Sequence, residues 1–245
     1  MKSIIIYDFD GTLTPYSLPK FEILEKCGLQ QGALNPNFLE MSKNKAQDEK
    51  VDLYTAIYRT YFEIIKNANL SLSDDNFCLG ANTVIYNNGV VDFLNFLKDN
   101  GVSNYLLSSG IKVYLEKTNI AHFFEEIYGT TFIYNSNGEA VGIDYLMSDK
   151  NKVDAIKDIV KMTGNNENNC QNIIYIGDGF TDYYAMEYVK RNGGTSIFVY
   201  KNKNSQDLKR LEEKDVISFS TYADFSYDSQ LSEFIKKLVL KKESK

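Results

Sequence analysis

The sequence is poor in the residues and runs that several classes of protein require. Its three cysteines lie far apart, form no CxxC pair and leave one over in any disulfide scheme: Cys27, Cys78 and Cys170. They favour reduced thiols over a disulfide framework. No stretch approaches the roughly 18 apolar residues of a membrane-spanning helix, and the apolar run before Asp8 is too short for a signal peptide. We therefore expect a cytoplasmic protein without a membrane partner.

Positive charge is also scarce. The chain has 27 Lys and Arg against 33 Asp and Glu, which gives a net charge of −6. Binding to phosphate backbones requires a clustered excess of basic residues, so we expect no nucleic-acid partner. The single histidine, His122, and the absence of a GxSxG segment argue against a Ser-His-Asp hydrolase. Nothing in the sequence indicates an obligate protein partner.

The chain does have enough apolar residues, 43%, for a globular core. Its 245 residues suit one large domain, or one domain with a sizeable insert. Short apolar runs predict buried strands at 3–7, 104–107, 127–134, 172–176, 195–200 and 216–219. Helical patterns lie between most of these runs. The alternation predicts an α/β protein with a doubly wound, mostly parallel sheet that binds ligands at the carboxyl ends of its strands.

Residues 16–87 interrupt this alternation. Apolar and aromatic side chains there follow helical spacing from Tyr54 to Ile65, and we predict no strand before 83–86. The sequence thus predicts a core made of residues 1–15 and 88–245, with a smaller all-helical insert at 16–87. Turn residues at 135–138 predict the tip of a small hairpin within the core segment 88–245.

Two acids follow the first predicted strand, in the segment Asp8-Phe9-Asp10-Gly11-Thr12. Carboxylates two residues apart lie on the same side of an extended strand, where they repel each other unless a cation or a shared proton is present. A glycine directly after them lets the backbone turn tightly towards a ligand. Taken alone, the pair is equally well interpreted as an acidic strand end that caps a turn.

A second acidic segment, Gly177-Asp178-Gly179-Phe180-Thr181-Asp182, follows another predicted strand. Together with Asp8, its two acids could build an oxygen-rich site of the kind that magnesium prefers. The alternative is a helix entry in which Asp182 only opposes the helix dipole.

Two further segments carry groups suited to phosphate. Ser108-Ser109-Gly110 follows the strand predicted at 104–107, where a hydroxyl and backbone N–H groups can hold phosphate oxygens or cap a helix. Lys150 and Lys152 precede a helical pattern that ends before Gly164. A lysine at this place could neutralise carboxylates and phosphate, although most lysines are simply solvated.

In combination, the four segments resemble the haloacid dehalogenase-like (HAD) superfamily, whose phosphatases show DxDGT, a strand-terminal Ser or Thr, a Lys and GDGxxD. The resemblance covers essentially the whole chain outside 16–87, and this insert resembles the cap domain of phosphoserine phosphatase-like members. It implies a Rossmannoid core, a magnesium cofactor and the hydrolysis of a small phosphorylated metabolite. Members that cleave carbon–halogen bonds lack an acid at the position of Asp10, so an oxygen leaving group is favoured.

The resemblance also implies roles for the acids. Asp8 looks like the nucleophile that becomes an aspartyl phosphate. Asp10 looks like the general acid that protonates the leaving alcohol and then activates water as a base. Magnesium would bind Asp8, the backbone carbonyl of Asp10 and Asp178, with Asp182 more remote from the ion.

The same resemblance implies a phosphate clamp made of Ser108, Ser109, Gly110 and one lysine. We favour Lys152 over Lys150 because apolar residues follow Lys152 at plus four and plus seven, as in similar family members.

Other readings of the motifs stay open. A phosphotransferase such as a sugar phosphate mutase shares the nucleophile, and receiver modules of response regulators use Asp, a hydroxyl, Lys and magnesium but are about half this length. Tyr16, Lys20 and Glu22 are weak candidates for substrate contacts.

Overall fold

A computed structural model describes residues 2–16, 21–28, 36–164 and 166–240, without the side chains of residues 21, 22 and 36. The strands are β1 (Ile4–Tyr7), β2 (Ser103–Ile111), β3 (Glu126–Tyr134), β4 (Ala140–Tyr145), β5 (Ile173–Gly177), β6 (Thr195–Tyr200) and β7 (Phe219–Tyr222). The α-helices are α1 (Phe21–Lys26), α2 (Pro36–Glu49), α3 (Leu53–Asn67), α4 (Asp74–Phe77), α5 (Val90–Asp99), α6 (Lys112–Glu116), α7 (Asn151–Met162), α8 (Tyr183–Arg191), α9 (Gln206–Glu213) and α10 (Gln230–Leu240). None of the described helices is long and apolar enough to cross a membrane.

The strands form one sheet in the order β4-β3-β2-β1-β5-β6-β7. Only β3 and β4 pair antiparallel, and all other neighbours are parallel. Strand β1 lies between β2 and β5, with Ile4 opposite Ser103 on one side and Ile173 on the other. Strands β2 to β4 extend the sheet to one side of β1, and strands β5 to β7 extend it to the other side. Because the strand order reverses at β1, the loops after β1, β2 and β5 border a crevice. The predicted doubly wound α/β fold is confirmed.

The central strand is apolar on both faces because helices cover both sides of the sheet. Ile5 and Tyr7 belong to a hydrophobic cluster that includes residues of α3, α5 and α10. Ile4 and Ile6 belong to a second cluster, which includes residues of α7 and α8. Successive side chains of a strand point to opposite faces, so a continuous apolar run is what a strand between two helix layers requires.

Most strand predictions agree with the structure, and the hairpin at 135–138 joins β3 to β4. Two predictions are wrong. The strand expected at 216–219 begins at Phe219 instead. The segment 83–86 is not a strand: a 3₁₀ helix, Ala81–Thr83, is followed by a linker. Directly after it, Asn87 donates its backbone N–H to Leu13 O at 2.8 Å, so the chain returns beside the loop after β1 and joins no strand there.

The helical insert packs against the core, where it contacts β3 and shares a hydrophobic cluster with α5. Its long helix α3 buries Tyr58 and neighbouring residues in the same hydrophobic cluster as β3 and α5. Three rings of the insert surround Phe132 on β3, with centroid distances of 5.6 Å for Tyr58, 4.9 Å for Phe62 and 5.0 Å for Phe77. The division into a core and a separate cap domain stays a prediction, since residues of both parts share this cluster.

Candidate active site

Acids of the first and last motifs meet at the carboxyl ends of the two central strands. Asp8 follows β1, and Asp178 and Asp182 follow β5. One carboxylate oxygen of each lies within 4.8 Å of the others. Asp8 N donates to Ile176 O at 2.9 Å. This hydrogen bond extends the pairing of β1 and β5 to the first acid. Residues 170 positions apart in the sequence thus share one site because parallel neighbours end at the same edge of the sheet.

The loop after Asp10 folds onto the fourth motif. Gly11 has a φ of +87°, a conformation that glycine adopts without steric cost. Thr12 Oγ1 then donates to Asp178 Oδ1 at 3.4 Å. From the other side, Asn87 Nδ2 donates to Thr12 O at 2.7 Å and to Thr14 O at 3.2 Å. The loop carrying Asp10 is therefore held both by the fourth motif and by the end of the insert.

The predicted lysine lies at the centre of the acids. Lys152, in the first turn of α7, is only 1% exposed. Its Nζ donates to Asp8 Oδ1 at 2.8 Å and to Asp182 Oδ1 at 2.7 Å. Although burial alone would lower it, the charges of Asp182 and Asp8 hold the pKa of Lys152 well above its ordinary value. The alternative candidate, Lys150, instead has its Nζ 5.9 Å from the ring centroid of Tyr184.

Asp182 has donors on both of its oxygens. Its Oδ1 accepts from Lys152 and, at 2.6 Å, from the hydroxyl of Tyr175 on β5. Its Oδ2 accepts from the N–H groups of Asp178 at 3.1 Å and Gly179 at 3.2 Å. This carboxylate therefore orients both the lysine and the loop after β5. Sequence reasoning missed Tyr175, because a tyrosine in a buried strand has the same pattern as any core residue.

The acids outnumber the buried cation that faces them. Burial raises the pKa of Asp8 from 3.8 to about 7, Lys152 opposes this rise, and the charges of Asp182 and Asp10 add to it. The pKa of Asp178 is also raised, first by burial and then by repulsion from Asp8. A divalent cation would relieve this repulsion. The clustered donors are carboxylate oxygens, which suit a hard ion such as Mg²⁺.

The second motif does not lie beyond the end of its strand. Strand β2 continues through Ser108, Ser109 and Gly110 to Ile111, with an irregular register against β3. Since Tyr7 pairs with Leu106, Ser108 lies at the level of the first motif. Ser108 Oγ accepts from Gly110 N at 3.0 Å, so this N–H group, predicted from the sequence to hold a phosphate oxygen, has a partner within the motif.

The insert contributes two tyrosines from the segment in which apolar and aromatic side chains follow helical spacing. Tyr58 donates to Ser109 O at 2.6 Å, and Tyr54 donates to Asp149 Oδ1. No signal in the sequence separates them from the other aromatic residues of α3, because the helical spacing is the same for all. Their partners belong to the second motif and to the segment before Lys152.

Of the remaining candidates for substrate contacts, only Tyr16 has its side chain within the described residues, and it stays outside this cluster. Tyr16 is 48% exposed, and Lys201 Nζ lies 6.0 Å from its ring centroid. Lys20 and the side chain of Glu22 lie outside the described residues. His122 is exposed, and its ring lies 4.0 Å from that of the neighbouring Phe123.

Doubly wound α/β enzymes bind their ligands at the carboxyl ends of the strands, and the acids and the buried lysine of this protein lie at that place. The model of the haloacid dehalogenase-like hydrolase family matches residues 5–187, and the chain belongs to this family. No curated protein matches the sequence.

Several solved structures share the fold. The phospho-aspartyl intermediate analogue of a phosphoserine phosphatase has a TM-score of 0.63 at 18% identity, covering 96% of this chain and 98% of that chain. A substrate-bound phosphoserine phosphatase has a TM-score of 0.65 at 17% identity, covering 97% and 98%. A HAD family hydrolase from Salmonella enterica serovar Typhi has a TM-score of 0.67 at 18% identity, covering 96% and 71%.

Proposed function

We propose that the protein is a magnesium-dependent phosphatase that hydrolyses a small phosphomonoester through an aspartyl-phosphate intermediate. The observation that carries the proposal is the position of the Asp8 carboxylate, which is bound to buried Lys152 and lies beside Asp178 in a hydrolase of this family. The phosphoserine phosphatases of similar fold support the same class of substrate.

In the first step, a carboxylate oxygen of Asp8 attacks phosphorus, and the bond from phosphorus to the leaving oxygen breaks. Lys152 lowers the pKa of Asp8 and so favours the ionised form that the attack requires. The same ammonium group would stabilise the charge on the phosphoryl oxygens. In the second step, water attacks the phosphorus, the bond from phosphorus to the Asp8 oxygen breaks, and inorganic phosphate leaves as the carboxylate is restored.

Asp10 would donate a proton to the leaving alcohol and then accept one from the attacking water. Its loop is fixed by Thr12 and Asn87, which supports a role that depends on accurate placement. An alkoxide is a poor leaving group without a proton, so this residue matters most for unactivated esters.

Magnesium would be held by Asp8, the backbone carbonyl of Asp10 and Asp178. When bound, it would supply positive charge opposite the transferring phosphoryl group. The four donors to Asp182 support a positioning role for that residue rather than direct metal binding.

Ser108, Ser109, Gly110 and Lys152 would hold the phosphoryl oxygens. The level of Ser108 beside the first motif supports this assignment. The helical insert would restrict access and so select small phosphorylated metabolites. We still predict a cytoplasmic location and no nucleic-acid, membrane or obligate protein partner. The three cysteines are free thiols.

The proposal is tested by phosphate release from a panel of phosphorylated metabolites and para-nitrophenyl phosphate with Mg²⁺. Asp8→Asn should abolish turnover because an amide is a poor nucleophile. The matched control is the same substitution at the exposed Asp228, which should leave turnover unchanged. Excess EDTA should stop the reaction reversibly. Turnover by Asp8→Asn would reject the nucleophile, and full activity without divalent ions would reject the metal. Transfer of phosphate to another substrate, without its release, would indicate a phosphotransferase.

A further inference from the structure

Helix α3 brings two tyrosine hydroxyls to the loops of the site. Its start is fixed by Asp52, whose carboxylate accepts from Thr55 N at 3.0 Å and from Thr55 Oγ1 at 2.6 Å. Tyr54 and Tyr58 are four residues apart and therefore lie on one face of the helix. Tyr54, which is nearer the start of the helix, contacts the segment before Lys152.

The two tyrosines differ in their surroundings. Tyr58 is 1% exposed, its ring packs edge-on against Phe132, and its hydroxyl donates to the carbonyl of Ser109. Tyr58 therefore anchors the helix. Tyr54 is only partly buried, so its side chain borders solvent as well as the site. Of the two, Tyr54 is the one that a ligand entering from solvent can reach.

The Tyr54 hydroxyl lies where two segments of the site converge. It donates to Asp149 Oδ1. Burial and the Asp149 contact raise the pKa of Tyr54, whereas the charge of Lys152 and a hydrogen bond with the Ser109 side chain lower it. One hydroxyl is thus close to the second motif, to Asp149 and to the phosphate lysine.

We propose that Tyr54 is a substrate-binding residue whose hydroxyl turns from Asp149 to a phosphoryl oxygen of the bound ester. This inference rests on the proposed function. A phosphoryl dianion offers strong acceptor oxygens, and a hydroxyl can rotate to meet them without loss of a hydrogen bond. Asp149 has a place in this arrangement as the acceptor that keeps the donor aimed into the site before substrate arrives. A carboxylate beside a phosphate site otherwise only repels the ligand.

The competing interpretation is a fixed brace in which the Tyr54–Asp149 contact merely ties the insert to the core. The two interpretations differ in what Asp149 does. In a brace, removing either partner breaks the same contact and has the same effect. In our proposal, Asp149 competes with the substrate for the hydroxyl, so removing its charge does not weaken phosphate binding, whereas removing the hydroxyl does.

The test uses inorganic phosphate as a competitive inhibitor of the Mg²⁺-loaded protein, with Tyr54→Phe and Asp149→Asn. The matched control is Tyr134→Phe, which removes another tyrosine hydroxyl that donates to an aspartate, Asp74, on the exposed surface. We expect Tyr54→Phe to raise the inhibition constant roughly ten-fold or more, the usual effect of losing a hydrogen bond to a charged acceptor. The KM of Tyr54→Phe for the phosphate ester should rise more than its kcat falls. Asp149→Asn should leave the constant unchanged or lower it, and Tyr134→Phe should not alter it.

An unchanged inhibition constant in Tyr54→Phe, or equal weakening in Tyr54→Phe and Asp149→Asn, would overturn the proposal. Thermal melting of each variant shows whether it folds. Should Tyr54→Phe not fold, a raised inhibition constant in Asp149→Asn alone would overturn it. Turnover by the wild-type protein separates this proposal from the proposed function. If the wild-type protein shows no turnover, the proposed function fails. If it shows turnover, the inhibition constants of the variants test the role of Tyr54 alone.

Discussion

The carboxylate of Asp178 occupies the space where a side chain at Gly11 would begin. A Cβ atom at position 11 would lie 2.0 Å from Asp178 Oδ2, far inside any van der Waals contact. The positive φ of Gly11 already disfavours other residues. The two acidic motifs are therefore sterically interlocked, and the glycine of the first is required by an aspartate of the last.

Gly11→Ala should lower kcat/KM at least about 100-fold, because Asp178 must move and accurate placement of charged groups is what this chemistry needs. Gly138→Ala is the matched control, since Gly138 has a φ of +75° but no atom lies within 4 Å of its added Cβ. The control should lose about 1 kcal/mol of stability and keep its activity. Steady-state kinetics and urea unfolding measure both effects. Equal activity of the two variants would show that the contact with Asp178 is unimportant.

Tyr175→Phe should destabilise the protein by about 1–3 kcal/mol, because it removes a donor from the fully buried Asp182. Turnover should fall as well, since Asp182 orients Lys152. The matched control is Tyr61→Phe, because the buried Tyr61 hydroxyl has no hydrogen-bond partner in the part of the chain that the structure describes. The control should be neutral or stabilising in urea unfolding. Similar losses in both variants would contradict a special role for Tyr175.

The metal-free protein should lose stability as pH rises from about 4 to about 7. Burial raises the pKa of Asp8 from 3.8 to about 7, so in this window the folded protein holds a proton that the unfolded chain has released. The contribution of Asp8 to stability is therefore greatest at low pH and is lost as its carboxyl ionises. Urea midpoints in EDTA at several pH values measure this dependence. Asp8→Asn, which cannot ionise, should show a flatter profile, and an identical slope would refute the assignment.

Asn87→Ala should impair hydrolysis of alkyl phosphates more than that of para-nitrophenyl phosphate. Asn87 holds the loop that carries Asp10, and only poor leaving groups depend strongly on an acid. Asn95→Ala is the control, because the Asn95 side chain donates only within its own helix, to Val91 O. The ratio of kcat/KM for the two esters is the measurement. An equal loss for both esters would mean that Asn87 serves stability and not acid catalysis.

The sheet and the motif residues were predictable because each depends on short segments. A strand between two helix layers must be apolar at every position, and β1 and β5 show this pattern without interruption. Apolar runs fail as a guide where burial occurs outside the sheet. Val216 is buried against the helices on one face, so the run at 216–219 is apolar without being a strand over its length.

The supporting contacts of the site could not be predicted. The hydroxyls of Tyr54 and Tyr175 find their partners through the packing of separate elements, and the sequence pattern records only that each residue is aromatic and periodic. The same holds for Asn87, which lies in a linker and binds backbone carbonyls that every residue carries. Lys152 was predictable, by contrast, because its spacing from Ile156 and Ile159 of α7 matches the pattern of the family that the sequence resembles.

The pairing of β1 also determines when the site can form during synthesis. Ile4 pairs with Ser103 and Ile173, so β1 has no neighbour in the sheet until much later segments have left the ribosome. Such long-range parallel pairing is slow and leaves an apolar strand exposed to aggregation while the chain grows. A nascent chain that ends before residue 182 lacks the acceptor that holds Lys152, so the site cannot be complete until that residue has been added.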